Sequence, residues 1–218
     1  MAQLFKRRAN AIAKATVIGI PLLGLSTWAT MFAYSRSEFW TRVNVPMEQP
    51  VPFSHQHHVG GLGIDCRYCH TSAEDSSFAG IPPTETCMTC HSQVWKDAPL
   101  LQPVRDSLQT GRPLRWTRVH DLPDYVYFDH SIHIAKGVGC STCHGQVNEM
   151  PLTFKTQELY MRWCLDCHRD PTKFIRPKAE VFNMTYRPPR DGSQSGPRLL
   201  EVNHVHTAGL TDCYVCHR

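Results

Sequence analysis

The sequence predicts a fold of short helices and irregular loops with little β-structure, built around bound cofactors and preceded by one transmembrane helix. Sixteen prolines and thirteen glycines in 218 residues favour turns over long regular elements. An uncharged apolar run occupies residues 15–34, and a Cys-x-x-Cys-His motif then occurs five times. Each of these observations is taken up in turn below.

The five motifs use all ten cysteines of the chain. Cys-x-x-Cys-His is typical of c-type haem attachment, in which the cysteines form thioethers with the haem and the histidine becomes the proximal iron ligand. A zinc site needs Cys-x-x-Cys elements in pairs, and five do not pair. The sequence therefore predicts a multihaem cytochrome c with five covalently bound haem c groups. The attachment cysteines are Cys66, Cys69, Cys87, Cys90, Cys140, Cys143, Cys164, Cys167, Cys213 and Cys216, and the proximal histidines are His70, His91, His144, His168 and His217.

The charge balance argues against a nucleic-acid partner. The formal net charge is +4 with neutral histidines, and five haems would add about ten propionate charges, offset by about five if every iron is ferric. The loaded protein is then close to neutral, so no basic surface is predicted that would attract nucleic acid.

The N-terminal apolar run predicts a retained membrane anchor. Twenty helical residues rise about 30 Å, which is the thickness of the hydrocarbon core of a bilayer. A cleaved signal peptide would have a shorter apolar region and a better small-x-small site than Thr27-Trp28-Ala29. Pro21 is tolerated in a membrane helix.

Basic residues predict the orientation of this anchor. Lys6, Arg7, Arg8 and Lys14 precede the apolar run, and Arg36 and Arg42 follow it. The positive-inside rule then puts the N-terminus in the cytoplasm. We expect residues 1–45 to form the tail, anchor and linker, and residues 46–218 to form a pentahaem domain on the periplasmic or outer face of a bacterial inner membrane.

An internal repeat surrounds the motifs. Residues 52–70, 127–144 and 202–217 each carry two or three histidines seven to eleven positions before a haem motif. This similarity predicts one supersecondary unit used three times, near residues 52–91, 127–168 and 202–218.

Histidines outside the motifs are candidates for the second axial position of each iron. Eight are available for five irons, so every iron can be six-coordinate. The members of each His-x-x-His pair lie about one helical turn apart and would reach two neighbouring haems. One of His204 and His206 should also ligate a haem, and which one is left open. The distal candidates are His55, His58, His130, His133, His204 and His206.

Two interpretations are open for each of three further side chains. His57 is expected to face solvent, with ligation as the alternative. His120 is either a ligand or a hydrogen-bond partner. Met150 is either an axial thioether, which would raise the potential of its haem, or a packed core residue.

The Phe-x-His-x-x-His elements resemble those of the class III multihaem cytochromes, the c3 and c7 family. The resemblance implies that the first histidine ligates the haem that follows it and that the second ligates another haem. His55 would then serve the Cys66/Cys69 haem and His130 the Cys140/Cys143 haem. His58 and His133 would serve other haems, such as the second haem of each unit.

Longer stretches give a second resemblance. The segments GIPPTETCMTCHSQVW, RVHDLPDYVYFDHSIH and CHGQVNEMPLTFKTQELYMRWCLDCHR resemble the pentahaem cytochrome c subunit of bacterial alternative complex III, a quinol:electron acceptor oxidoreductase. The resemblance implies a polytopic quinol-binding subunit, an iron–sulfur subunit and a monohaem cytochrome c as partners. It also implies a downstream cytochrome or terminal oxidase.

These observations favour an electron-relay subunit with no catalytic site of its own. A stand-alone anchored quinol dehydrogenase of the tetrahaem type is the alternative, although this chain has one motif more. A multihaem reductase of a small molecule would need an open iron position, and the surplus of histidines argues against one.

Two connecting segments complete the expectations. Residues 98–109 carry apolar positions at helical spacing, with Asp97 as a cap and Gly111 as a stop. The proline-rich residues 171–199 are expected to form an extended arm or a surface loop.

Overall fold

The computed structural model describes residues 6–217. The described chain forms two compact units, one ending at Val43 and the other beginning at Asn44. Of the predicted cytoplasmic tail, residues 1–5 lie outside the described residues, as does Arg218 at the other end.

The first unit consists of α1 (Arg7–Ser35) and α2 (Glu38–Thr41). Within α1, the segment Arg8–Ser35 is long and apolar enough to cross a membrane, by length and composition. Its hydroxyl groups bond to carbonyl oxygens of the preceding turn: Thr16 Oγ1 donates to Ile12 and Thr30 Oγ1 donates to Ser26. Because these hydroxyl groups have hydrogen-bond partners within the helix, they are not left unpaired in an apolar environment.

The second unit is made of short helices joined by turns, which confirms the predicted fold class. Between residues 6 and 217 the structure contains no named β-strand, and an isolated bridge joins Val138 and Ile175. A π-helical segment covers Gln56–Gly61. The α-helices are α3 (Cys66–Cys69), α4 (Thr84–His91), α5 (Gln102–Thr110), α6 (His130–Ala135), α7 (Cys140–His144), α8 (Met161–Arg169), α9 (Gly196–Val202) and α10 (Cys213–Cys216). The 3-10 turns are Pro99–Leu101, Val147–Glu149, Pro171–Lys173 and Lys178–Glu180.

Aspartates fix the start of two of these helices. The Asp65 carboxylate accepts a hydrogen bond from the Arg67 backbone N–H before α3, at 2.8 Å. The Asp129 carboxylate accepts one from the Ser131 backbone N–H at the start of α6, also at 2.8 Å. Such caps satisfy helix N–H groups that have no partner within the helix. They fix where the histidine- and cysteine-bearing turns begin.

Little of the protein interior is made by apolar side chains. Among the described residues only nine hydrophobic side chains other than proline are buried, and one connected group joins Val51, Leu101 and Val104. Cys87 and Met88 of α4 pack against this group. A unit of this size would ordinarily bury more apolar surface, and haems bound at its motifs would supply such surface.

The helix expected at residues 98–109 begins later than the sequence suggested. The segment opens as the 3-10 turn Pro99–Leu101 and becomes helical at Gln102, and no side-chain cap from Asp97 is formed. Pro99 and Pro103 each occupy the first turn of their element, where a missing N–H costs least. Gly111 ends α5 in the left-handed conformation, with φ of 67°, as predicted.

The proline-rich stretch of residues 171–199 is not an extended arm in its first half. Val181 is 1% exposed and Met184 is also buried. The Arg176 guanidinium reaches inward and donates to the carbonyl oxygen of Asn183 at 3.0 Å and to Ser141 Oγ at 3.1 Å. The prolines therefore shape a connection that packs onto α7, and only residues 187–193 are continuously exposed.

Candidate haem sites

Each Cys-x-x-Cys-His motif forms a helical turn. The two cysteines are three positions apart and lie on one face, where both can reach one porphyrin edge. The histidine follows directly; it ends or caps the helix in four motifs, and in α8 it is followed by one more helical residue, Arg169. The motifs occupy α3, the end of α4, α7, the second half of α8 and α10. This local geometry suits the attachment chemistry that the motifs predict.

Four of the five motif histidines face a second histidine at nearly the same spacing. The ring centres are 6.1–6.5 Å apart in all four pairs. The pairs are His55 with His70, His58 with His91, His130 with His144, and His133 with His168.

This spacing fits an iron held between two imidazoles. A bond from a metal to an imidazole nitrogen is about 2 Å long, so two rings that bind one metal from opposite sides have centres about 6 Å apart. Direct stacking or edge contact of two rings can be much closer, as His120 and His144 illustrate with centres 4.3 Å apart. The four pairs therefore leave room for an iron, and the contact of His120 with His144 does not.

Hydrogen bonds at Nδ1 prepare most of these rings for metal binding. On the motif side, Nδ1 of His70 donates to the carbonyl oxygen of Gly80 at 2.7 Å, and Nδ1 of His168 donates to that of Leu210 at 2.8 Å. On the distal side, Nδ1 of His133 donates to the carbonyl oxygen of Asp129 at 2.6 Å. A carbonyl oxygen can only accept, so the proton sits on Nδ1 and Nε2 keeps its lone pair for a metal. The remaining rings bonded in this way are His58, His91, His130 and His217, and Nδ1 of His55 instead contacts the Thr153 hydroxyl at 2.9 Å.

Burial keeps several of these imidazoles neutral. The pKa of His144 is lowered to about 3, by burial first and then by the imidazoles of His120, His130, His70 and His55. Burial also lowers the pKa of His55 to about 4, and lowers that of His133. A neutral imidazole is the form that binds iron, so these rings need not lose a proton when a metal binds.

The Phe-x-His-x-x-His elements orient both of their rings in the same way. Phe53 meets His55 edge-on at 4.9 Å and stacks on His58 at 4.4 Å. Phe128 repeats this arrangement, with His130 edge-on at 4.8 Å and His133 stacked at 4.6 Å. Sequence reasoning treated these phenylalanines only as part of a pattern. Their recurrence in the first two repeats was the signal that they position the ligands.

Three other candidate ligands, His57, Met150 and His120, lie outside the four histidine pairs. His57 is exposed and stacks on Trp95 with ring centres 5.7 Å apart. Met150 is 3% exposed, which fits the core-packing interpretation. His120 is largely buried, its Nε2 has no hydrogen-bond partner among the described residues, and burial lowers its pKa to about 4.

The fifth motif differs from the other four. The ring nearest to His217 is that of Tyr125, with centres 5.9 Å apart, and no histidine of the described residues pairs with His217 at the spacing of the other four sites. His204 and His206 are both exposed. Ligation of the fifth iron by one of them stays a prediction.

Comparison with known proteins agrees with this geometry. Residues 126–218 match the family described as cytochrome c7 and related cytochrome c. Over 180 residues the chain is 37% identical to the multihaem cytochrome c subunit of menaquinone reductase from Nitratidesulfovibrio vulgaris, covering 78% of this chain and 77% of that protein. The chain belongs to the multihaem c-type cytochromes. As a member of this family it carries covalently bound haem c and functions in electron transport. The predicted resemblance to the c3 and c7 cytochromes is confirmed over the part that holds the last three motifs.

Proposed function

We propose that the chain binds five haem c groups, one at each Cys-x-x-Cys-His motif. The observation that carries this proposal is the set of four histidine pairs, each joining a motif histidine to a distal one at 6.1–6.5 Å. A bound haem supplies an iron that accepts and donates one electron at a time. The donor set fits this group, since each of the four sites combines two motif thiols with two facing imidazoles.

The proposed ligands follow from these pairs. His55 and His70 serve the first haem, His58 and His91 the second, His130 and His144 the third, and His133 and His168 the fourth. His217 serves the fifth haem, and one of His204 and His206 completes its coordination. With two imidazoles at every iron, all five haems are six-coordinate and low-spin, which suits a relay better than the activation of a small molecule.

We further propose that the chain is the electron-relay subunit of a membrane quinol-oxidising complex of the alternative complex III type. The 37% identity to a subunit of a menaquinone reductase supports the link to quinones. The quoted stretches around residues 80–95, 118–133 and 143–169 support the particular complex. The expected partners are a polytopic quinol-binding subunit, an iron–sulfur subunit and a monohaem cytochrome c, with a downstream cytochrome or oxidase as acceptor.

The proposed location is a bacterial inner membrane, with the haem domain of residues 46–218 on the periplasmic side. The apolar helix Arg8–Ser35 supports a single crossing, and the basic residues that precede it support a cytoplasmic N-terminus. A single helix offers few polar groups for a quinone pocket, so quinol oxidation belongs to a partner subunit in this proposal.

Isolation of the chain from its native membrane in a mild detergent tests both proposals. Haemochrome absorption with protein mass spectrometry should count five attached haems, and the co-purifying proteins should include the three expected subunits. Four or fewer haems on fully matured protein would contradict the first proposal. A fully loaded chain that purifies alone and oxidises quinol would favour the stand-alone quinol dehydrogenase instead.

A further inference from the structure

We infer that the five haem sites lie in one unbranched line, in the order second, first, third, fourth and fifth motif. The second and fifth motifs are the ends of this line, and the third is its centre. This inference rests on the proposal that every motif binds a haem. It differs from the order of the motifs along the chain, in which the first would be an end.

The second and first sites are neighbours because they share structural elements. His55 and His58 lie three positions apart, and their rings face the histidines of the first and second motifs respectively. The intervening residues of the two motifs also touch: the hydroxyls of Tyr68 and Thr89 hydrogen bond at 2.8 Å.

The third and fourth sites are neighbours for the same reason. His130 and His133 lie on α6 and face the histidines of the third and fourth motifs.

The first and third sites join these two halves. Val181 and Phe182 bridge the two motifs: the Val181 carbonyl accepts a hydrogen bond from the Cys140 N–H at 3.1 Å, and the Arg67 guanidinium lies 4.7 Å from the centre of the Phe182 ring.

Two more contacts connect the halves. Nδ1 of His130, the distal ring of the third site, donates to the carbonyl oxygen of Ser77, which lies between the first and second motifs. Thr153, which follows the third motif, holds Nδ1 of His55 through its hydroxyl. The first and third sites are therefore held by each other's connecting segments.

The fourth and fifth sites are the last neighbours. Nδ1 of His168 donates to the carbonyl oxygen of Leu210, three residues before the fifth motif. The Tyr127 N–H also donates to the Cys216 carbonyl oxygen at 2.8 Å, which places the fifth motif beside the segment that leads into α6.

The exposure of the motif cysteines identifies the same two ends of the line, independently of these contacts. Of the ten motif cysteines, only Cys90 of the second motif and Cys213 of the fifth are exposed, and the other eight are partly buried. The line therefore predicts that electrons enter this subunit at one of the two end motifs and leave at the other.

Timed electron injection into the full-length, haem-loaded chain in detergent tests the order. A ruthenium tris(bipyridine) photosensitiser is attached to Thr211→Cys beside the fifth motif or, separately, to Gln93→Cys beside the second; both positions are exposed. A sacrificial amine is oxidised by one electron for each electron that reduces a ferric iron. One site at a time is labelled spectrally by exchanging its distal imidazole for a thioether, in the variants His55→Met, His58→Met, His130→Met and His133→Met. Mass spectrometry first establishes that each variant carries five haems.

The line predicts opposite orders from the two ends. From position 211 the labelled fourth site is reduced first, then the third, the first and the second; from position 93 the order reverses. Reduction of the second site before the first from position 211, or the same order from both positions, would overturn the line while leaving five haems and the relay intact. If neither position reduces any labelled site of a five-haem chain, the relay itself is wrong.

Discussion

Replacement of His58 by alanine should leave one haem iron without its sixth ligand. The His58 ring faces that of His91 across 6.1 Å and stacks on Phe53 at 4.4 Å. An alanine side chain cannot span this distance, and Phe53 offers no donor atom. The iron of the second site then becomes five-coordinate and high-spin while the other four sites keep both imidazoles.

The magnitude follows from the number of sites. One of five haems, or about one fifth of the total haem, should convert to a high-spin species. The oxidised variant should show this fraction in electron paramagnetic resonance, and the reduced variant should bind about one carbon monoxide per chain. The matched control is His57→Ala, because His57 is adjacent in sequence but exposed and stacked on Trp95. This control should remain entirely low-spin.

A double variant tests whether the ring of His57 can replace that of His58 as the iron ligand. The ring centre of His57 is 5.3 Å from that of His58, so His57 is the only nearby histidine outside a pair that could move towards the iron. His57→Ala combined with His58→Ala removes both donors and must give the high-spin haem. A fully low-spin spectrum in the double variant, or a high-spin haem in His57→Ala alone, would refute the assignment of His58.

Three further predictions address the scaffold, the third site and the anchor. Arg176→Ala removes the bonds to Asn183 and Ser141 and should lower the free energy of unfolding by about 3 kcal/mol, whereas the exposed Arg190→Ala should have little effect; equal melting temperatures would contradict this role. His120→Phe keeps a flat aromatic ring but removes both nitrogens next to His144, so it should shift the paramagnetic resonance signal of one haem only, and an unchanged spectrum would show that His120 merely fills space. Deletion of residues 1–40, with a cleavable signal supplied instead, should leave haem content unchanged and weaken assembly of the complex, as measured by co-purification; loss of haem would contradict the separation of anchor and haem domain.

Local patterns of the sequence were sufficient to identify the five motifs and to select the distal candidates of the first two repeats. Three-residue spacing places two histidines about one turn apart, and the structure brings His55 and His58 to different motifs. The same holds for His130 and His133. These relations depend on backbone periodicity, which sequence spacing encodes directly.

Contacts between distant segments could not be predicted in this way. Nothing local in RPKAEVFNM shows that Arg176 and Val181 turn inward, because their burial depends on Ser141 and Cys140, which are more than thirty positions away. The proline content predicted an extended arm or a surface loop there, whereas the segment contains two 3-10 turns, the start of α9 and the buried side chains of Val181 and Met184. The position of His120 beside His144 likewise depends on tertiary packing alone. The third repeat lacks the Phe-x-His-x-x-His spacing, so neither its sequence nor its neighbours fixed the distal ligand of His217.

Quinol oxidation by the isolated chain tests the central claim most directly. The full-length, haem-loaded chain and the whole complex are compared at equal haem concentration with a soluble quinol analogue, and reduction of haem is followed by absorption. If the chain is a relay, dithionite reduces its haems fully, but the quinol reduces them far more slowly than it reduces those of the complex. Quinol oxidation by the isolated chain at the rate of the complex would contradict the relay and assign the quinol site to this subunit.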